Sequence, residues 1–197
     1  MQPHNPGPVP ASRAPATLYM VCGKIGAGKS TLANQLAARP ETVLISEDDW
    51  LSRLYPGEIR AISDYVRCAG RLRDAMAGHI EALLLAGMSV VLDFPANTPA
   101  SRSWARALFE QTGGSHQLHY LDVPDAVCKA RLRARNASGT HAFETSDAQF
   151  DEITRYFVAP SDSEGFHVIR HELAAAAAAA AVAAVAAVAA AGLTASP

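Results

Sequence analysis

Between residues 17 and 172 short apolar runs alternate with longer stretches whose apolar residues recur at helical spacing. The runs at 17–22 (TLYMVC), 42–45 (TVLI), 89–94 (SVVLDF), 117–123 (QLHYLDV) and 166–172 (FHVIRHE) predict five strands. They are nearly continuous in apolar residues, as expected for strands covered on both faces. Helices are predicted over 30–39, 63–87, 99–113, 124–136 and 146–158, and another starts near Trp50. Local signals mark their ends: Ser63 as an N-cap, Gly87 and the pair Gly113–Gly114 as stops, and Pro124 in a first turn. Ser146 and Gln149 have capping-box spacing. Residues 136–145 are polar and rich in breakers, hence a loop. Strands alternating with helices predict an α/β fold, a parallel sheet flanked by helices.

Composition sets the limits of this domain. Residues 1–16 carry five prolines and no apolar pattern, so a disordered leader is expected there. The core domain then runs over 17–172. Residues 173–197 are dominated by Ala, with Val at 182, 185 and 188. Alanine favours helix but is barely hydrophobic, and no basic cluster or aromatic belt flanks the segment. It reads as a helical low-complexity tail rather than a membrane anchor. The formal charge of -2 shows none of the basic excess that nucleic-acid binders carry, which disfavours a nucleic-acid partner. Cys22, Cys68 and Cys128 form no C-x-x-C pair, so a reducing, cytoplasmic setting is expected. Cys22 falls in an apolar run and reads as a core residue. The histidines have no metal-site spacing; His116 and His119 sit three apart on a predicted strand and should face opposite ways.

The strongest chemical signal is GKIGAGKS at 23–30, which fits G-x-x-x-x-G-K-[ST] between a strand and a helix. Glycines let backbone N–H groups approach phosphate oxygens, and the following helix N-terminus is partly positive. The predicted nucleotide-binding residues are Gly23, Lys24, Ile25, Gly26, Ala27, Gly28, Lys29, Ser30 and Thr31. Lys29 should reach the β- and γ-phosphates, and Ser30 should coordinate Mg²⁺. The nucleotide is read as ATP. There is no N-K-x-D for guanine selectivity and no L-S-G-G-Q of a transporter ATPase. Phe94 stands where many mechanical ATPases carry a water-activating Glu after the strand Asp. The expected phosphoryl acceptor is therefore something other than water.

CGKIGAGKST, ISEDDWLSRLYP, VVLDFPANTPASR and CKARLRARN, in this order, resemble the small P-loop kinases of the AAA_33 type. These include relatives of zeta toxins, chloramphenicol phosphotransferase and polynucleotide kinase. The resemblance spans about 17–170 and implies a five-stranded parallel sheet and ATP-dependent transfer to a hydroxyl group. It also implies that an Asp ending the second strand accepts the acceptor's proton. In ISEDDW the S-x-D pattern selects Asp48 as that base, next to the acceptor. Asp49 is the second residue placed near the acceptor, while Glu47 and its neighbours are left to cap the helix, assist Mg²⁺ or meet water. The placement is physically sound, because neighbouring parallel strands aim their C-terminal ends at one crevice.

Asp93 ends the third strand and is expected to serve Mg²⁺ with Ser30, with Asp122 as the competing acid. The resemblance points Arg102 at substrate or phosphate, with Asn97 and Thr98 capping its helix or touching the acceptor. Arg131 and Arg135, four apart and so on one helix face, should close over the γ-phosphoryl group as part of a lid at about 131–146. Arg67, Arg71 and Arg73 lie on the long helix where an acceptor pocket is commonly shaped. The expected function is an ATP- and Mg²⁺-dependent kinase for a small-molecule hydroxyl. The alternatives are a zeta-toxin-like or polynucleotide 5′-hydroxyl kinase, and an ATP-binding switch or scaffold acting through the tail.

Overall fold

The computed structural model describes residues 15–138 and 145–173, together with Val182. Residues 1–14 of the expected leader, 139–144 of the expected lid and the rest of the Ala-rich tail lie outside the described residues. Five strands form one parallel sheet: β1 (Thr17–Cys22), β2 (Thr42–Ser46), β3 (Ser89–Pro95), β4 (Ser115–Asp122) and β5 (Val168–Glu172). Their spatial order is β2-β3-β1-β4-β5. The helices are α1 (Lys29–Ala37), α2 (Glu47–Leu54), α3 (Ile62–Leu85), α4 (Pro99–Thr112), α5 (Asp125–Ser138) and α6 (Asp147–Thr154).

The central strand shows why both faces are covered. Leu18, Met20 and Cys22 of β1 point into a core shared with Leu72, Ile80 and Leu84 of α3 and Ala105, Leu108 and Phe109 of α4. Tyr19 and Val21, one step out of phase, pack with Ala33 and Leu36 of α1. A third cluster, Ala27, Leu121, Val123, Val127, Cys128, Leu132 and Phe150, lies under the turn after β1. Val182 packs against this third cluster beside Ile25, Leu32 and Leu173, so the tail touches the domain at that point. The chain leaves β1 on one side for β2 and β3, then crosses to β4 on the other side. Such a switch point opens a crevice at the C-terminal ends of the strands.

Two helix starts differ from the sequence expectation. Helix α2 begins at Glu47, not near Trp50, because Ser46 is its N-cap and accepts the Asp49 N–H at 3.4 Å. Three carboxylates thus occupy a first turn, where the helix dipole favours them. Helix α3 begins before Ser63: the Asp64 carboxylate accepts the Ala61 N–H at 3.2 Å and takes the capping role. The capping box of Ser146 and Gln149 forms as predicted. The 3-10 turn Asp162–Glu164 had no sequence signal.

His116 and His119 do face opposite ways. His116 stacks on Phe109 at 4.0 Å, on the α4 side. His119 stacks on His171 at 5.2 Å, with 2.9 Å between its Nδ1 and the His171 Nε2. Burial, then the neighbouring His171 and Arg39, push the His119 pKa down to about 4. The unfolded imidazole titrates near 6.5 and takes up its proton first as pH falls. His119 therefore favours the folded state above pH 6.5, and that advantage is lost as pH drops towards 4. Urea midpoints measured from pH 7 to pH 4 should fall over this window. In a His119→Gln variant that part of the decline should vanish; an unaltered pH profile would refute the assignment.

Candidate active site

The turn joining β1 to α1 is a phosphate-loop conformation. Gly26 and Gly28 have φ of 78° and 105°, a region closed to most side chains. At Gly26 space is closed as well, since a Cβ there would lie 2.7 Å from the Cys128 carbonyl oxygen. Helix α5 therefore presses on the loop and supports its shape from behind. Arg131 of α5 donates from Nη1 to the Ala27 carbonyl at 2.9 Å, and Lys24 pairs with Asp125 in the first turn of α5. On the other side the Asn97 Oδ1 accepts the Gly23 N–H at 2.9 Å. The loop is thus clasped by α5 and by the turn after β3.

Lys29 curls back over this loop and donates from Nζ to the carbonyls of Gly23 (2.8 Å) and Lys24 (3.0 Å). Burial lowers its pKa, while the charges of Asp93 and Asp48 support the ammonium. Ser30, in the first turn of α1, lies beside the Asp93 carboxyl group. Burial raises the Asp93 pKa; the Ser30 hydroxyl and Lys29 oppose that rise, and Asp48 adds to it. Asp93 sits opposite Ser46 in the β2–β3 register, so the ends of β2 and β3 bring α2 beside the loop.

The three acids after β2 have separate environments. Glu47 is fully buried and pairs with Arg73, whose Nε and Nη2 lie 3.2 and 3.0 Å from Oε2; Tyr65 donates its hydroxyl to Oε1. Asp48 is exposed, yet its charge acts on Lys29, Asp93, Tyr65 and Arg135. Asp49, expected near the acceptor, is an exposed residue bound at 3.2 Å to Arg53 one turn along its own helix. Of the two predicted lid arginines, Arg131 lies against the loop. Arg135 is half-buried, burial lowers its pKa, and Asp48 is the charge that counteracts this. Arg133 is exposed and pairs with Asp147, away from this constellation.

Other expected site residues have structural duties instead. Arg102 neither faces substrate nor meets solvent. It is fully buried, and its guanidinium bonds both Glu164 oxygens and the carbonyls of Ala96 and Val158. Its helix start faces the chain segment that follows α6, a partner 62 residues distant in sequence. Asp122, the competing acid, pairs with Arg170, which lowers its pKa. Thr98 caps α4 by accepting the Ser101 N–H at 3.1 Å. Residues that sequence reasoning passed over are Tyr65 with the buried Glu47–Arg73 pair, and the Asn97 contact to Gly23. No local signal marks Glu47 as buried, since Tyr65 and Arg73 stand 18 and 26 residues away.

The oxygen donors Ser30 and Asp93 suit a hard divalent cation such as Mg²⁺, which takes few protein ligands and completes its shell with phosphate oxygens and water. The described residues contain no group of three His, Cys, Asp or Glu side chains placed to hold a metal.

The AAA_33 family, described as an AAA domain, matches residues 18–160. The chain belongs to the AAA_33 family. No curated protein matches it in sequence. Among solved structures it resembles the PezAT chromosomal toxin-antitoxin system of Streptococcus pneumoniae at 15% identity and a TM-score of 0.60, over 82% of this chain and 70% of that one. It also resembles a gluconokinase from Sinorhizobium meliloti 1021, at 17% identity, a TM-score of 0.54 and 89% and 94% coverage. A third likeness is the APS kinase of Mycobacterium tuberculosis in complex with AMPPNP and APS, at 17% identity, a TM-score of 0.51 and 87% and 96% coverage. At these identities the likeness establishes the fold, a P-loop NTPase sheet with its flanking helices. No helix of the described residues is long and apolar enough to cross a membrane.

Proposed function

We propose that this AAA_33 protein is an ATP- and Mg²⁺-dependent kinase that moves the γ-phosphoryl group to a hydroxyl of a small molecule. The observation that carries this reading is the placement of Asp48, an exposed carboxylate in the first turn of α2, two residues past Ser46, which lies opposite Asp93 at the end of the β2–β3 pair. It has no basic side chain bound to it among the described contacts, so it can turn to an acceptor hydroxyl and take its proton. The residue after Asp93 argues in the same direction. Phe94 is buried and stacks on Trp104 at 5.8 Å, so the position that would activate water in an ATPase is apolar.

In this scheme the loop N–H groups and Lys29 hold the β- and γ-phosphates. Ser30 and Asp93 would hold Mg²⁺, which would supply neutralisation of charge on the phosphate oxygens. Arg131 and Arg135 line the α5 face of the crevice, where charge spreads over the transferred group. Asp48 receives the hydroxyl proton as the acceptor oxygen bonds to phosphorus and the ADP oxygen leaves. The kinases among the fold relatives, one of them holding AMPPNP, support the reaction class. The acceptor is sought by ADP release with Mg·ATP over sugars, nucleosides, aminoglycosides, phenicols and nucleotide-sugars, with 5′-hydroxyl oligonucleotides as a further arm. Release above the Asp48→Asn blank for one small-molecule class supports the proposal; release only with oligonucleotides overturns the small-molecule part of it.

Replacement of Lys29 by Ala is expected to weaken ATP binding about 10- to 100-fold, the loss of one or two charge-assisted hydrogen bonds. Calorimetric titration with ATP reads it directly. An unchanged affinity would contradict the phosphate-loop assignment.

A further inference from the structure

Glu47 stands immediately before the proposed base and is the one fully buried acid among the described residues. A lone carboxylate is expensive to bury, and a leucine could fill the same space without that penalty. What the acid adds is direction. Its two oxygens are used separately: Oε2 receives the Arg73 guanidinium and Oε1 the Tyr65 hydroxyl, both from α3. Three donors from two turns of a long helix leave the carboxylate no freedom to rotate. Glu47 is also the first residue of α2, so pinning its side chain to α3 fixes the helix start that carries Asp48. The charge of Asp48 reaches both Glu47 and Tyr65, which places the base right beside this anchor.

We propose that Glu47, held by Arg73 and Tyr65, is a positioning residue that fixes the first turn of α2 and thereby aims Asp48 at the acceptor. The inference rests on Asp48 being the base. Without the anchor the first turn of α2 would still form, because Ser46 caps it, but it would swing relative to the phosphate loop. Misplacing a reacting group by about 1 Å lowers rates by up to about 10²-fold.

The test compares Glu47→Gln and the milder Tyr65→Phe with the unmodified full chain. Amide hydrogen exchange is followed over 46–54, and ADP release is followed with Mg·ATP at saturation and the small-molecule hydroxyl acceptor that gives release in the screen above. Exchange in 46–54 is expected to rise about 10-fold in Glu47→Gln, with β1 and β3 unchanged. Turnover should fall about 10- to 100-fold while the ATP dissociation constant stays within about twofold. Tyr65→Phe should shift both readouts in the same direction by less. A residue that only supported stability would raise exchange throughout the sheet and leave the turnover of the folded fraction intact. Wild-type exchange over 46–54, or wild-type turnover despite faster local exchange, overturns the proposal. Asp48→Asn run in parallel separates the two claims. If it turns over normally the base assignment fails, whereas an inactive Asp48→Asn beside a fully active Glu47→Gln removes the anchor alone.

Discussion

Asp48→Asn is expected to bind ATP normally and to transfer phosphate roughly 10²- to 10⁴-fold more slowly, the usual worth of a general base. The amide keeps the size and hydrogen-bonding reach of the carboxylate but cannot accept the hydroxyl proton. Nucleotide binding should survive because the phosphates are held by the loop and Lys29, and Asp48 is exposed and outside the loop. The substitution also removes a negative charge that supports the Lys29 ammonium and opposes ionisation of Asp93. Both groups therefore lose proton affinity in the variant, and the lost negative charge also weakens the local attraction for a cation. A rate loss that persists at saturating Mg²⁺ thus points to the missing base. Single-turnover ADP formation with the acceptor found by screening, paired with ATP calorimetry, reads both halves of the expectation. Near-normal single-turnover rates would remove Asp48 from the chemistry and pass the role to another group.

The largest stability effect is expected at Arg102. Its guanidinium is fully buried and clasps Glu164 with two parallel bonds, of 2.5 Å from Nε and 2.8 Å from Nη2. Nη1 serves the Ala96 and Val158 carbonyls at 3.1 and 2.9 Å. Arg102→Ala would empty the space and strand a carboxylate and two carbonyls at once. Breaking a buried ion pair on one side costs about 3–5 kcal/mol. Glu164 keeps 21% side-chain exposure, so water can reach it and the lower end is expected. For a chain of this size that corresponds to a melting temperature lower by roughly 10 °C. Arg102→Lys should recover little, since an ammonium cannot reproduce the planar fork. Arg102 also holds the Glu164 carboxyl below its usual pKa, so the wild-type contribution fades as pH falls through that lowered value. Chemical denaturation at neutral pH and in acid measures both effects. A destabilisation below about 1 kcal/mol would place Arg102 with ordinary surface arginines.

Arg102 also shows where local reasoning stops. Its position in a first helical turn, just after an Asn-Thr cap, is a plausible site for a substrate contact. Its actual partner follows α6, and nothing near residue 102 announces it. Asp122 is a similar case: an acid at a strand end, paired off by Arg170 of the neighbouring strand. Glu47, Asp48 and Asp49 look interchangeable along the chain, and α3 makes them different by taking one into the interior.

What was legible depended on short-range physics. The apolar runs and helical spacings located all five strands, because burial on both faces imposes a pattern that each segment carries by itself. The phosphate loop was legible because its glycines, Lys29 and Ser30 act within eight consecutive residues, between a strand and a helix. The four-residue spacing of Arg131 and Arg135 places both on one face of α5, and Arg131 meets the loop there. The strand order and the pairing of buried charges depend on contacts between segments far apart in sequence. Burial decides which charged groups must find partners, and only the packed chain determines which partners are in reach. Sequence pattern thus established a parallel α/β sheet with a phosphate loop. Tertiary packing sent Glu47 and Arg102 inward as anchors and left Asp48 exposed beside Lys29 and Asp93, because only one of three adjacent acids could meet Arg73 and Tyr65 in the interior.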